Sequence, residues 1–406
     1  MSLLLKNGRV LRAGSKKPER MDIAIGDDGC IVALAPTLPP EITGRAIELN
    51  SRLVVPGLVD AHQHLDKSRT RQLIANPMGT LEGASAGYRA FAATTNPTEI
   101  MARAERTLDA CLAQGTVAIR SHTNIESESG LRGIESMIDL RERCCQRMTL
   151  QIVAHLTGDA PRKLSAAQQW LKEAITLGAD AIGGVPQYAD QPLTFIDLLF
   201  DHAERSGLPL DVHIDEHLDP ERILFDAIIE RTRAHGMQGR VVAGHCCALS
   251  AIEQDEAKRI IEGFAEAEIG VVTLPAANLF LQGRDTSGLP PRGLTRVMEF
   301  IEGGVRLAAA SDNIQDPFIP IGSGDLLEIA RWTLLAGHFG LRDLDTAFEM
   351  ISATPAHLIG LENWGIEVGN RADLLVADAE DLGDLVASGP RSRLVLVAGR
   401  VVAGQL

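Results

Sequence analysis

The chain has 406 residues, of which 45% are hydrophobic and 23% charged, a composition that is typical of globular proteins and excludes disordered and collagen-like classes. Its 54 acidic residues exceed its 39 basic ones and give a net charge of −15, which disfavours a protein that binds a nucleic-acid backbone. Since no apolar run approaches the roughly 18 residues of a membrane span and the N-terminus lacks a signal-peptide core, we expect a cytoplasmic protein without a membrane or nucleic-acid partner.

Both ends of the chain predict β-strands. The first 55 residues contain alternating apolar segments separated by glycine and aspartate turns, such as the turn at residues 26–29. Residues 365–406 repeat this pattern in further apolar segments. Two β-rich ends that flank a different middle predict one small β-sandwich domain, assembled from residues 1–55 and 365–406.

The middle of the chain, residues 56–364, alternates short apolar strands with longer helical stretches. Eight strand candidates lie at residues 53–64, 116–122, 150–156, 180–186, 210–215, 241–246, 269–275 and 305–312. Eight strand–helix units predict the α/β fold class and, within it, a (β/α)₈ TIM barrel. An open doubly wound sheet is the alternative, but no glycine-rich nucleotide-binding motif follows a strand.

Metal-binding side chains lie where several of these strands end. His62 and His64 end the first barrel strand, and positions i and i+2 of a strand point to the same face. His213, His245 and Asp312 end the fifth, sixth and eighth strands. Because the active sites of such barrels lie at the carboxyl ends of the strands, this pattern predicts a divalent metal site.

Two carboxylates add acid–base chemistry to this site. Three histidines and one carboxylate leave an open position on a divalent ion, where a bound water acquires a pKa near ~7. Asp312 can bind the ion and also accept the proton of that water. Glu216, three residues after His213, can pass the proton to a substrate nitrogen; the alternative is a solvated loop charge. The neighbouring Asp66 and Lys67 are interpreted as a structural salt bridge.

At these residues the chain resembles a known family. Residues 56–67, PGLVDAHQHLDK, resemble the first metal motif of the amidohydrolase superfamily. HIDEHLD, GHCCAL, NLFLQGR and SDNIQDPFIPIG are similar to stretches of its bacterial cytosine deaminase branch. The resemblance implies one Zn²⁺ or Fe²⁺ ion with four ligands: His62, His64, His213 and Asp312. It also implies that Glu216 carries a proton to the ring nitrogen and that His245 hydrogen-bonds the attacking oxygen.

The implied reaction is hydrolytic deamination of a small nitrogen heterocycle, in which a metal-bound hydroxide attacks the carbon that bears the amino group and ammonia leaves. A single ion is favoured because the fourth strand, AIGGVPQ, lacks the lysine of binuclear members. Two alternatives stay open, namely removal of a substituted amine from a triazine-like ring, as in the N-isopropylammelide aminohydrolases, and hydrolysis of a cyclic amide. A non-catalytic barrel is disfavoured because no ligand or acid is missing. The resemblance also implies a homo-oligomer.

The predicted substrate pocket departs from the cytosine deaminase pattern. Thr157, with His155 nearby, stands where that branch has a glutamine that reads the amide edge of the base. Asn313 replaces a second aspartate, and Phe318 replaces a tryptophan. The predicted substrate contacts are Thr157, His155, Gln187, His122, Asn313 and Phe318.

Overall fold

The computed structural model describes residues 3–12, 15, 17–39, 45–284, 288 and 290–405. Its strands, numbered in chain order, are Leu3–Val10 (β1), Glu19–Ile25 (β2), Ile31–Ala35 (β3), Ala46–Glu48 (β4), Leu53–Pro56 (β5), Leu58–Gln63 (β6), Thr116–Ile125 (β7), Thr149–Leu156 (β8), Ala181–Gly184 (β9), Leu210–Ile214 (β10), Val241–His245 (β11), Gly270–Thr273 (β12), Leu307–Ala309 (β13), Leu374–Ala377 (β14), Arg393–Val397 (β15) and Arg400–Gly404 (β16).

The α-helices are Leu81–Ala92 (α1), Pro97–Ala113 (α2), Arg132–Cys144 (α3), Leu164–Leu177 (α4), Pro192–Ser206 (α5), Phe225–Ala234 (α6), Gln254–Glu266 (α7), Pro275–Leu281 (α8), Val297–Glu302 (α9), Leu326–Ala336 (α10), Leu344–Glu349 (α11), Ala353–Leu358 (α12) and Leu382–Ser388 (α13). No helix within the described ranges combines the length and the apolar character that crossing a lipid bilayer requires.

Local sequence signals start and end several of these helices. The side chain of Asn96 accepts a hydrogen bond from the backbone N–H of Glu99 and caps α2, which begins with a proline. Helix α4 ends at Gly178, whose φ of +104° only glycine adopts without strain. These ends return the chain to the next strand within a few residues.

Eight parallel strands, β6 to β13, form the barrel. Each pairs with its neighbour in chain order. A parallel bridge between Gln63 and Asp312 joins the end of β6 to the segment after β13 and closes the ring. The fold class predicted from the alternating strands and helices, a (β/α)₈ TIM barrel, is confirmed.

The two ends of the chain together form a second sheet. Its strand order is β16-β15-β14-β5-β1-β2-β3, with β4 beside β1. One face of this sheet buries a separate apolar cluster that includes Leu5, Ile23, Leu374 and Leu396. The predicted small β domain built from both ends is confirmed, whereas its exact boundaries, residues 1–55 and 365–406, stay a prediction.

The predicted strand at residues 53–64 is two strands. β5 pairs with β1 and β14 in the end sheet, and β6 pairs with β7 in the barrel. Gly57 separates them, and a Cβ at this position would lie 2.4 Å from Cγ1 of Val117. The chain therefore crosses from one sheet to the other at a point where only glycine fits against β7.

A buried ion network crosses the barrel below its rim. Arg120 of β7 donates hydrogen bonds to Gln151 of β8 and to Asp211 of β10, both over 2.9 Å. The other carboxylate oxygen of Asp211 lies 3.0 Å from Nε2 of His122. Burial alone would raise the pKa of Asp211, but His122 and Arg120 hold it below its usual value. The network fixes the ring of His122 beneath the site.

A second buried cluster lies at the seam where the barrel closes. The carboxylate of Asp60 accepts hydrogen bonds from Ser311 and, over 2.9 Å, from Nε2 of Gln63. The backbone N–H of Asp312 donates to the carbonyl of His62 over 2.9 Å. Burial raises the pKa of Asp60 to about 6. These contacts hold the ends of β6 and β13 side by side.

We expect Arg120→Met to destabilise the protein by about 3–5 kcal/mol, because it leaves the carboxylate of Asp211 buried without its cation. The matched control is Arg205→Met, since Arg205 pairs with Asp201 on the surface and both side chains are largely exposed. That control should cost less than about 1 kcal/mol. Urea unfolding of the three proteins measures both changes, and equal losses in the two variants would contradict this prediction.

Candidate active site

The side chains predicted to bind a metal meet at the carboxyl ends of the barrel strands. His62 lies in β6 and His64 directly follows it; His213 lies in β10, and Asp312 follows β13. All four are buried, with at most 4% of each residue exposed. Asp312 adopts a left-handed φ of +59°, and His245, at the end of β11, one of +68°. Strained backbone conformations of this kind cluster at active sites and ligand-binding sites.

Nitrogen and oxygen atoms converge within this group. Nε2 of His64 lies 3.2 Å from Nε2 of His213 and 3.3 Å from Oδ1 of Asp312. Nε2 of His62 lies 3.7 Å from the same carboxylate oxygen. Nδ1 of His64 donates to the backbone carbonyl of His122 over 2.7 Å, so Nε2 of this neutral ring carries its lone pair.

These donors fit a divalent metal ion. Burial lowers the pKa of His62, His64 and His213 well below the usual value, which keeps the imidazoles neutral. Within the described part of the chain, both ring nitrogens of His62 and Oδ1 of Asp312 are buried without a hydrogen-bond partner. Buried polar atoms without partners are rare, and neutral imidazole and carboxylate are ligands that such ions prefer.

Ligand atoms of His62, His64 and Asp312 lie within 4.8 Å of one another, and two further groups of described residues meet the same spacing. His62, His213 and His245 form one, and His62, His122 and Asp211 form the other. Asp211 already pairs with Arg120 and His122, which makes the second arrangement part of the buried ion network. His62 belongs to every such group, so its ring is the centre of the cluster.

Glu216 and His245 lie at the edge of the cluster. Glu216 is 6% exposed, and burial raises its pKa to about 8 although Lys67 opposes the shift. Its Oε1 lies 3.6 Å from Nδ1 of His245. That nitrogen also lies 2.9 Å from Oδ1 of Asn278 in α8, and the contact orients the imidazole. Asn278 was not among the predicted residues, although it lies in the NLFLQGR motif.

A cavity opens above the cluster at the carboxyl ends of the barrel strands. His64, His213, His245, Glu216 and Asp312 line it. Four of the six predicted substrate contacts also line it: His155, Thr157, Asn313 and Phe318.

The other two predicted contacts, His122 and Gln187, are not among the described residues that line the cavity. The ring of His122 stacks beneath that of His62, with centroids 3.8 Å apart. Gln187 lies in a short 3₁₀ helix at residues 186–188, where its neighbour Tyr188 faces the cavity instead. His122 thus supports the ring of His62 from below.

Lys67, which the sequence predicts to form a structural salt bridge, lines the cavity instead. Among the described residues no ion pair within 4 Å joins Lys67 to Asp66, although the charge of Lys67 opposes the rise that burial causes in the pKa of Asp66. The ammonium lies instead 4.5 Å from the ring centre of Phe318 and 5.9 Å from that of Tyr88. Lys67 is 4% exposed and lines the cavity, so it presents a buried cation to a bound molecule.

The cavity is also lined by residues that are not among the predicted site residues. Helix α1 was not predicted, and it contributes Leu81, Ser85 and Tyr88 to the cavity. The end of β7 contributes Asn124, and Glu126 directly follows that strand. The sequence holds one signal for these two residues. Asn124 and Glu126 are polar and stand two positions apart at the end of the second barrel strand, as His62 and His64 do at the end of the first.

Comparisons with known proteins assign the chain to a family. A family model described as the amidohydrolase family matches residues 76–403. Pterin deaminase of Rhizobium rhizogenes is 32% identical over 391 residues, which cover 94% of this chain and 88% of that protein. N-isopropylammelide isopropyl amidohydrolase of Pseudomonas sp. is 25% identical and covers 88% of this chain and 87% of that protein.

Solved structures give the same result. 5-methylcytosine deaminase from Klebsiella pneumoniae superposes with a TM-score of 0.91 at 27% identity, over 99% of this chain and 98% of that chain. N-isopropylammelide isopropylaminohydrolase from Burkholderia multivorans gives 0.84 at 29% identity, over 100% and 99%. The chain therefore belongs to the amidohydrolase family of metal-dependent hydrolases, as the motif at residues 56–67 predicted.

Proposed function

We propose that the protein is a metal-dependent hydrolytic deaminase that releases ammonia from a small nitrogen heterocycle. One observation carries this proposal, namely that a single cavity brings the converging ligands together with the buried acid Glu216. The names of two relatives, pterin deaminase and 5-methylcytosine deaminase, describe removal of an amino group from such rings.

We propose that His62, His64, His213 and Asp312 hold one divalent ion, Zn²⁺ or Fe²⁺. Three neutral imidazoles and one carboxylate accept either ion, so the ligands do not discriminate between them. An ion bound there supplies Lewis acidity and makes a water molecule nucleophilic at neutral pH. The sequence resemblance and composition support, in addition, a cytoplasmic homo-oligomer.

Glu216 moves the proton in this proposal. With a pKa of about 8, its carboxyl is mostly protonated at neutral pH and can donate to a ring nitrogen of the substrate. After the transfer Glu216 is a carboxylate. The ammonium of Lys67 stabilises this charged form and so opposes the rise in pKa that burial causes. A pKa near the working pH suits a group that must both donate and accept a proton.

Asp312 and His245 complete the proposed chemistry. Burial raises the pKa of Asp312 to about 7, which favours its acceptance of the proton from the attacking water. His245, held by Asn278, directs Nε2 to the attacking oxygen; this nitrogen is buried and has no partner in the described ranges. Groups fixed before the reaction stabilise developing charge without reorganising.

We propose that His155, Thr157, Asn313 and Phe318 contact the substrate. Phe318 presents an aromatic ring, and the ammonium of Lys67 over that ring can donate to a carbonyl oxygen of the heterocycle. His122 supports the site through its stack on His62. A role for Gln187 stays a prediction from the sequence.

The direct test is product analysis on a panel of cytosine, 5-methylcytosine, isocytosine, pterin, creatinine, ammelide and N-alkylated triazines. We expect ammonia from at least one member, measured by a coupled ammonia assay with mass spectrometry of the products. Release of an alkylamine would instead support removal of a substituted amine, which the likeness to the N-isopropylammelide enzymes favours. Metal-loaded enzyme that releases neither product would contradict the proposal.

Glu216→Gln should lower kcat by about 10²–10⁴-fold, because the amide has no proton to transfer. Metal content should not change, since Glu216 is not a proposed ligand. The matched control is Glu221→Gln, an exposed position in the 3₁₀ helix after β10, which should keep wild-type kcat. Wild-type turnover by Glu216→Gln would refute the proposed role.

His213→Ala should lower the metal content from about one ion per chain to a small fraction, because it removes a proposed ligand whose Nε2 lies 3.2 Å from Nε2 of His64. The control is His235→Ala, since His235 pairs with Glu204 between helices, far from the cluster. Inductively coupled plasma mass spectrometry measures the metal content of both variants after dialysis against buffer that contains trace metal. A full complement of metal in His213→Ala would show that the ion lies elsewhere.

A further inference from the structure

Glu126 takes no part in the proposed reaction, yet it lies in the same cavity as Glu216. It is 2% exposed and lines the cavity directly after β7. Its Oε2 lies 3.5 Å from Nε of the partly exposed Arg89, whereas its Oε1 has no hydrogen-bond partner in the described part of the protein. Burial raises the pKa of Glu126 to about 7, although Arg89 opposes the shift. A buried carboxylate oxygen without a donor is costly.

The backbone beside Glu126 is shaped to receive its carboxylate. A Cβ at Gly158 would lie 1.9 Å from Oε2 of Glu126, and Gly158 has a φ of +59°. Any side chain there would displace the carboxylate. Thr157, which precedes this glycine, stands where we expected a residue that reads the amide edge of the substrate. The chain thus places an acceptor beside the position from which the expected amide is missing.

A second acceptor lies next to Glu126. Asn124 is two residues earlier, in β7, and lines the same cavity. Oδ1 of Asn124 is buried and is likewise without a partner among the residues described. Its backbone N–H donates to Asp66 over 3.1 Å, which fixes the residue at the cavity wall. Two unsatisfied acceptors in one wall indicate a ligand that brings donors.

We propose that Glu126, with Asn124 beside it, accepts hydrogen bonds from a ring N–H or second amino group of the substrate. This inference rests on the proposed function and narrows its substrate class to heterocycles that keep such an N–H donor besides the amino group that leaves. A site built to hydrogen-bond an N–H discriminates strongly against analogues that lack it, because its own buried group is then left unpaired.

The test compares kcat/KM for the best panel substrate and for its ring N-methyl analogue, for example cytosine and 1-methylcytosine. We expect wild-type enzyme to prefer the parent by about 100-fold or more. In Glu126→Met, which keeps the length of the side chain and removes both acceptors, this preference should fall below about 10-fold. A preference that came only from the size of the methyl group would persist in this variant.

Two further variants separate the role of the carboxylate from a loss of structure. Glu135→Met, at an exposed position in α3, is the matched control and should keep the wild-type preference. Gly158→Ala leaves Glu126 in the sequence but displaces its carboxylate, so it should also lower the preference. Circular dichroism checks that each variant is folded.

The outcomes distinguish this inference from the proposed function. Ammonia release with equal kcat/KM for parent and analogue in wild-type enzyme overturns the role of Glu126 and leaves the deaminase proposal standing. An unchanged preference in folded Glu126→Met does the same. Absence of turnover on every panel member overturns the proposed function and, with it, this inference.

Discussion

The burial of neutral imidazoles at the rim of a closed barrel is the constraint on which the rest of the site depends. Burial lowers the pKa of His62, His64 and His213 well below the usual value, so the rings are neutral and each can offer one nitrogen lone pair to a metal ion. The bridge between Gln63 and Asp312 brings the carboxylate to the same point, because it joins the first and last strands of the barrel. The contact that closes the barrel thus also places Asp312 beside the histidines of the first strand.

The cavity above the ligands has two chemically different sides. Glu216 and His245 lie at the edge of the cluster and suit proton transfer. Glu126 and Asn124 form a wall of acceptors after β7. Lys67, held over the ring of Phe318, is a buried cation among these carboxylates and lowers the pKa of both Glu126 and Glu216. A heterocycle can accept a hydrogen bond from Lys67 with a carbonyl oxygen and donate one to Glu126 or Asn124 with an N–H. The two contacts together fix the orientation of the ring.

The sequence predicted the parts of the site that follow from strand periodicity. His62, His64 and Asp312 could be placed because parallel strands of a barrel end at one rim. Lys67 and Glu126 could not, because their directions depend on contacts with Tyr88 and Arg89 of α1 and on the absence of a side chain at Gly158. The split at Gly57 likewise depends on a contact with Val117, which is distant in sequence.

We propose one metal ion among His62, His64, His213 and Asp312, and its position can be measured directly. Anomalous diffraction from crystals of the metal-loaded protein, recorded at the zinc and iron absorption edges, locates the ion without reference to activity. We expect a single anomalous peak at the rim, bounded by these four side chains. A peak between His122 and Asp211, two peaks at the rim, or none in metal-saturated protein would contradict it.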